Sequence, residues 1–216
     1  RQDFKFYPCM PYAHKYANAV TELGIMGTLK AYIPGNILSV ASKAGIAYMR
    51  KDFPTLMELL IDAEMKMFHD LNTPVIFLQN VIVDLLMGLG TDEIFVHYVN
   101  YIKEKYNASP GFITMNLPKM VDLCERLDIE NPIICSSINK IGFRMSGSNE
   151  IYEDYLNSDK EFRPMAMQCL AAGALKPEEA MEYVCRFPKI ESVLFGASSR
   201  AHIQQIKDLV ESYSQK

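Results

Sequence analysis

No uninterrupted apolar run in this 216-residue chain approaches the roughly 18 to 20 residues that a membrane-spanning helix needs. No basic segment followed by an apolar one opens the sequence, so the signature of a secretory signal is missing as well. Basic residues are neither in excess nor clustered: 22 Lys and Arg stand against 26 Asp and Glu, for a formal net charge of −4. Binding a phosphate backbone or an anionic membrane needs basic patches. Neither a nucleic acid nor a membrane is therefore expected as a partner, and the cytoplasm is the expected compartment. The five cysteines, Cys9, Cys124, Cys135, Cys169 and Cys185, are odd in number, widely spaced and form no CxxC pair. That pattern suits buried reduced thiols and implies no metal site. A GxGxxG fingerprint, a P-loop, a Pro/Gly/Ser linker and a low-complexity tract are all missing, so one domain over residues 1–216 is expected. The chain opens at Arg1 rather than at a methionine, which leaves the number of strands at its amino end open.

What is present is an alternation. From residue 73 onward, short apolar runs recur: "TPVIFLQ" (73–79), "DEIFVHY" (92–98), "GFITMN" (111–116), "NPIICSS" (131–137), "RPMAMQC" (163–169) and "ESVLFGA" (191–197). Each is too short for a helix and too continuous for a half-exposed strand, which predicts parallel strands buried on both faces. The segments between them carry helical periodicity. In 117–129, Leu117, Met120, Val121, Cys124 and Leu127 share a face. In 176–187, Pro177 precedes Glu178 and Glu179 where a helix begins. In 199–213 the stripe is Ile203, Ile206, Val210 and Tyr213. The acidic stretch 152–162 reads as helix and turn, and the thirteen methionines as flexible core packing. In the first third, 4–12 and 25–33 read as strands and 13–24 as a helix, with a mainly helical region over 36–71. Eight strands alternating with helices predict a closed (β/α)8 TIM-like barrel, with an open doubly wound sheet as the alternative.

Four segments resemble the aldo-keto reductases. "LGTDEIFVH" is similar to that family's "LGTDYIDLYLIH", "GFITMNLPKMVDL" to its "GVSNF" strand and helix, "QCLAAGAL" to its "SPLGGGLL", and "VLFGASSRAHIQQI" to its "VIPGASSPEHLEEN". The likeness covers about residues 73–213. It implies a nicotinamide-linked oxidoreductase using NADP, with His97 at the end of a barrel strand as the catalytic histidine. Gly196, Ser198, Ser199 and Arg200 would then contact the cofactor phosphate. The family's lysine has no counterpart, since "PVIFLQN" ends in Gln79 and Asn80, and its "DTAxxYG" run is missing. A non-standard catalytic set is therefore expected.

Barrel active sites draw on residues at the carboxyl ends of the strands. Those positions make Tyr12, His14, Gln79, Asn80, Asn116 and Asn139 candidates for substrate binding, with Ser136, Ser137 and Gln168 nearby. Alternation along 92–98 would place His97 with Phe95 inside the barrel and Ile94 with Val96 outside. Lys30 and Lys140 are candidates for an imine-forming lyase or isomerase, because burial makes a lysine nucleophilic. The "FGASSRAH" turn, with free amides at a helix start and Arg200 beside them, would suit an anion. A non-catalytic barrel holding a small, phosphorylated ligand is the remaining expectation.

Overall fold

The computed structural model describes residues 4–12, residue 22 and residues 52–214. The chain divides into two compact units, Arg1–Gly111 and Phe112–Lys216. In the first, strand β1 (Cys9–Met10) pairs in parallel with β2 (Val75–Leu78), Cys9 opposite Phe77 and Met10 opposite Leu78. Helix α1 (Phe53–Met65) starts where the Asp52 carboxylate accepts from the Thr55 amide at 3.1 Å, with Pro54 in the first turn. Both are ordinary start signals, one filling an orphan donor and the other lacking one. Helix α2 (Asn80–Leu89) follows β2 and ends at Gly90, whose φ of 68° lets the chain turn left-handed.

Residues 92–98, expected as a barrel strand, belong instead to helix α3 (Asp92–Tyr106). The reason is visible once the segment is read past Tyr98. Ile94, Phe95, Tyr98, Val99 and Ile102 are the buried residues, a stripe at helical spacing that a seven-residue window truncates. Asp92 and Glu93 occupy the first turn, Lys103 and Lys105 the last, and Asn107 closes the helix at φ 50°. Those charges complement the helix dipole. Tyr98 is fully buried and its hydroxyl donates to the Ile76 carbonyl at 2.6 Å. A buried phenol without a partner would cost about 1–3 kcal/mol. Strand β3 (Ser109–Thr114) spans the division between the units. Its Gly111 leaves room for the Phe77 ring, which an added Cβ would meet at 2.6 Å.

In the second unit the alternation read from the sequence is regular. Helix α4 (Leu117–Arg126), strand β4 (Ile133–Ser137), helix α5 (Asn149–Asn157), strand β5 (Arg163–Met167), helix α6 (Pro177–Cys185), strand β6 (Ser192–Leu194) and helix α7 (Arg200–Ser214) follow in turn. A short 3-10 turn, Ala171–Gly173, separates β5 from α6. β4 and β5 are parallel from Ile133 opposite Arg163 to Ser137 opposite Met167, and β5 pairs in parallel with β6 from Met165 opposite Ser192. The core of this unit is built on Phe112, Leu117, Met120, Ile134, Tyr152 and Met181, all with no exposed surface. On α7 only Ile206 of the expected stripe is buried, and Ile203 is 49% exposed.

Among the described residues the expected eight-stranded closed barrel is not formed. The described residues hold six strands in one sheet, ordered β1-β2-β3-β4-β5-β6, with β1 and β6 at its ends. Of the two further strands expected, 92–98 is helix and 25–33 lies outside the described residues, as do the segments 13–21 and 36–51. The doubly wound alternative needs a reversal of strand order, and this order has none. Among the described residues no helix is long and apolar enough to cross a membrane.

Candidate functional site

In parallel α/β sheets, ligands bind beyond the carboxyl ends of the strands. In the second unit those ends are polar and buried. Thr114, Ser136 and Ser137 expose no surface. The Ser136 hydroxyl donates to the Thr114 carbonyl at 2.9 Å, and the Ser137 hydroxyl lies 3.3 Å from Gln168 Oε1 and 3.2 Å from Met115 Sδ. Asn116, expected to bind substrate, caps α4 instead: its side-chain oxygen accepts from the Lys119 amide at 3.2 Å. Its own amide donates to Thr114 Oγ1 at 2.9 Å.

Asn139 is also structural. It is fully buried, its side-chain amide donates to the Phe143 carbonyl at 2.8 Å, and its side-chain oxygen accepts from the Phe143 amide at 2.8 Å. This pair of bonds closes the chain into a tight loop after β4, with Gly142 at φ 70°. From α5, Asn149 donates to the Asn139 and Lys140 carbonyls at 3.1 and 2.9 Å. The Ser146 amide, donating to the Met115 carbonyl at 2.8 Å, fixes the loop on its far side. What the loop presents is Phe143 and Arg144.

Those two residues form one wall of a cleft of about 610 Å³ at the ends of β5 and β6. Met167, Leu170, Leu194 and Phe195 make the rest of its apolar surface, and Gln168, Cys169, Ala171, Ala172 and Gly196 complete it. Burial pushes the Cys169 thiol up to about 12. The backbone here is unusual. Arg144, Gln168, Ala171 and Ala172 have φ of 52°, 54°, 47° and 56°, a region that costs an L-residue on the order of 1–2 kcal/mol. Half of the eight non-glycine residues in that region among those described line this one cleft.

Other expected site residues lie elsewhere. His97, on α3, pairs with Glu58 of α1 at 2.7 Å and is not at a strand end. Lys140 is half exposed and bonded to Glu179 at 2.6 Å, a surface ion pair rather than a buried amine. Tyr12 follows β1 with 51% of its surface exposed, and its amide donates to the Glu64 carboxylate at 3.0 Å. Gln79 is buried before α2, its amide donating to the Met10 carbonyl at 3.3 Å, and Asn80 is the first residue of that helix. His14 and Lys30 lie outside the described residues.

Of the expected phosphate-binding turn, only Gly196 lines the cleft. Ser199 accepts from the His202 amide at 3.2 Å and Ser198 lies 3.4 Å from the His202 ring, so the start of α7 is capped by its own residues. With His97 on a helix and this turn capped, no observation supports the oxidoreductase or NADP reading. Among the described residues no group of three or more His, Cys, Asp or Glu is placed to hold a metal ion.

Reading the sequence found Gln168 at the end of β5 but missed Arg144, Phe143, Ala171 and Ala172. Comparison with protein-family models, with curated proteins and with solved structures finds no match in any of the three.

Proposed function

We propose that this chain binds a small organic molecule in the cleft at the carboxyl ends of β5 and β6. The observation that carries the reading is the concentration of left-handed non-glycine residues on its wall. Strained backbone persists where the surrounding structure over-determines it, and such residues gather at ligand sites. The cleft's volume, about 610 Å³, is that of a small-molecule site. Its surface also fits, with apolar walls interrupted by one guanidinium and one carboxamide.

The chemistry of the lining favours holding a ligand over transforming it. Among the described residues the lining contains no carboxylate, histidine or lysine, so none of them offers a side chain of ordinary pKa for proton transfer. Cys169, pushed up to about 12 by burial, stays a thiol at neutral pH, and the thiolate is the nucleophilic form.

Ligand-observed NMR with a fragment mixture tests the reading. An added Cβ at Gly196 meets nothing within 4 Å, so the backbone there accepts a side chain, and Gly196→Phe adds a ring to the lining of the cleft. Fragments that bind the unaltered chain are expected to lose their signal with this variant while its melting temperature is unchanged. Fragments that bind both proteins equally would show that the cleft is not the site.

A further inference from the structure

Among the described residues Arg144 is the one charged side chain on the wall of the cleft, and it differs from three other cations of this unit. Lys140 is held by Glu179 at 2.6 Å, Arg163 by Glu191 at 2.8 Å and Arg186 by Glu153. Arg144 has no carboxylate partner among the described residues. Its guanidinium lies 5.6 Å from the centroid of the Phe143 ring. A guanidinium resting on an aromatic face keeps its edge, and the donors along it, available for a planar anion.

The loop holds the backbone of this residue in place at a cost. Asn139 clasps Phe143 through two bonds of 2.8 Å, and the Met145 amide donates back to the Gly142 carbonyl at 3.2 Å. Between these anchors Arg144 takes φ 52°. Glycine would adopt that conformation without steric penalty, so the backbone gains nothing from arginine here. What arginine adds is the guanidinium at the cleft. Gln168 stands with it on the same wall: when its Oε1 accepts from Ser137 at 3.3 Å, its N–H2 group remains a donor.

We propose that the cleft selects organic monoanions, namely aryl or acyl carboxylates, with Arg144 receiving the carboxylate and the apolar walls taking the body of the ligand. The proposal rests on the binding role given above. One guanidinium matches one carboxylate through two parallel N–H···O bonds. A phosphate monoester carries roughly −1.5 to −2 at neutral pH, and among the described residues no second cation lines the cleft to balance it. Uncompensated charge against Phe143, Leu170, Leu194 and Phe195 is unfavourable.

Isothermal titration with matched probes tests the assignment: benzoate, phenylacetate and cinnamate, each beside its neutral carboxamide, together with phenyl phosphate. At least one carboxylate is expected to bind about 10-fold or more tightly than its amide, the range of a charge-assisted hydrogen bond. Arg144→Gly is expected to fold at least as stably as the unaltered chain and to reduce that carboxylate to the affinity of its amide. Arg144→Lys is expected to recover part of the difference. Equal affinity for acid and amide, or an Arg144→Gly variant that binds the acid unchanged, would overturn the anion assignment. So would phenyl phosphate binding more tightly than every carboxylate, or a cleft-binding fragment set that excludes all acids. In each of these cases a loss of fragment binding with Gly196→Phe would still identify the cleft as a binding site. If no probe binds and no fragment is lost with Gly196→Phe, both proposals fail together.

Discussion

His97 Nε2 lies 2.7 Å from Glu58 Oε1, and the His97 ring stacks on Tyr101 with centroids 6.3 Å apart and planes 12° from parallel. The first contact joins α3 to α1, and the second runs along α3 beside it. One turn further on, Asp62 of α1 accepts from the Tyr101 hydroxyl, from the Tyr106 hydroxyl at 2.5 Å and from the Lys105 ammonium at 2.5 Å. His97, Tyr101 and Lys105 recur at the four-residue spacing that places side chains on one face of a helix, as do Glu58 and Asp62. The histidine that the sequence pointed to as a catalyst is thus a rung joining two helices.

Replacing it should therefore affect folding slightly and the cleft not at all. Side chains at this rung are about one third exposed, 38% for His97 and 32% for Glu58, where such pairs are worth about 0.2–1 kcal/mol. His97→Ala is expected to lower stability within that range in urea denaturation and to leave fragment binding at the cleft unchanged. A loss of binding without a loss of stability would return His97 to a functional role.

Asp62 carries more of the seam. Burial pushes its carboxyl up, but the hydrogen bonds from Lys105, Tyr101 and Tyr106 and the Lys105 charge outweigh that effect and hold it below the ordinary range. A carboxyl with a depressed folded pKa contributes stability above its unfolded value, about 3.9, and loses it as pH falls through the folded value. Asp62→Asn is expected to destabilise the chain by about 1–3 kcal/mol at neutral pH. The gap to the unaltered chain should close as the solution is acidified below about pH 4. Parallel pH profiles for the two proteins would show that Asp62 does not titrate with folding.

How much of this was legible follows from where each signal resides. Strands β2, β4 and β5 fall within the apolar runs read as strands, because a parallel strand covered on both faces needs a continuous apolar sequence. Residues 92–98 satisfy the same local test and form a helix, since the deciding residues, Val99 and Ile102, lie beyond the run. At the cleft, Gln168 could be found because it follows a strand. Arg144 could not, because its placement depends on Asn139 closing onto Phe143 four residues away. Positive φ at Ala171 and Ala172 is not readable from alanine itself.

That backbone strain makes a direct prediction about stability. Alanine to glycine usually destabilises by roughly 0.5–1 kcal/mol through chain entropy. At Ala172, with φ 56° and ψ 28°, relief of a left-handed penalty of about 1–2 kcal/mol should offset that loss. Ala172→Gly is expected to leave the melting temperature unchanged or raised. A loss approaching 1 kcal/mol would mean that the strain is not borne there.

The central claim, that a small molecule occupies the cleft at the ends of β5 and β6, is tested most directly by a protein labelled at its alanine methyl groups. Ala171 and Ala172 line the cleft, whereas Ala108 and Ala180, both buried, do not. Titration with a fragment that binds is predicted to shift the Ala171 and Ala172 methyl resonances in a saturable way and to leave those of Ala108 and Ala180 in place. Saturable shifts confined to other alanines, with Ala171 and Ala172 unmoved at full occupancy, would contradict the claim.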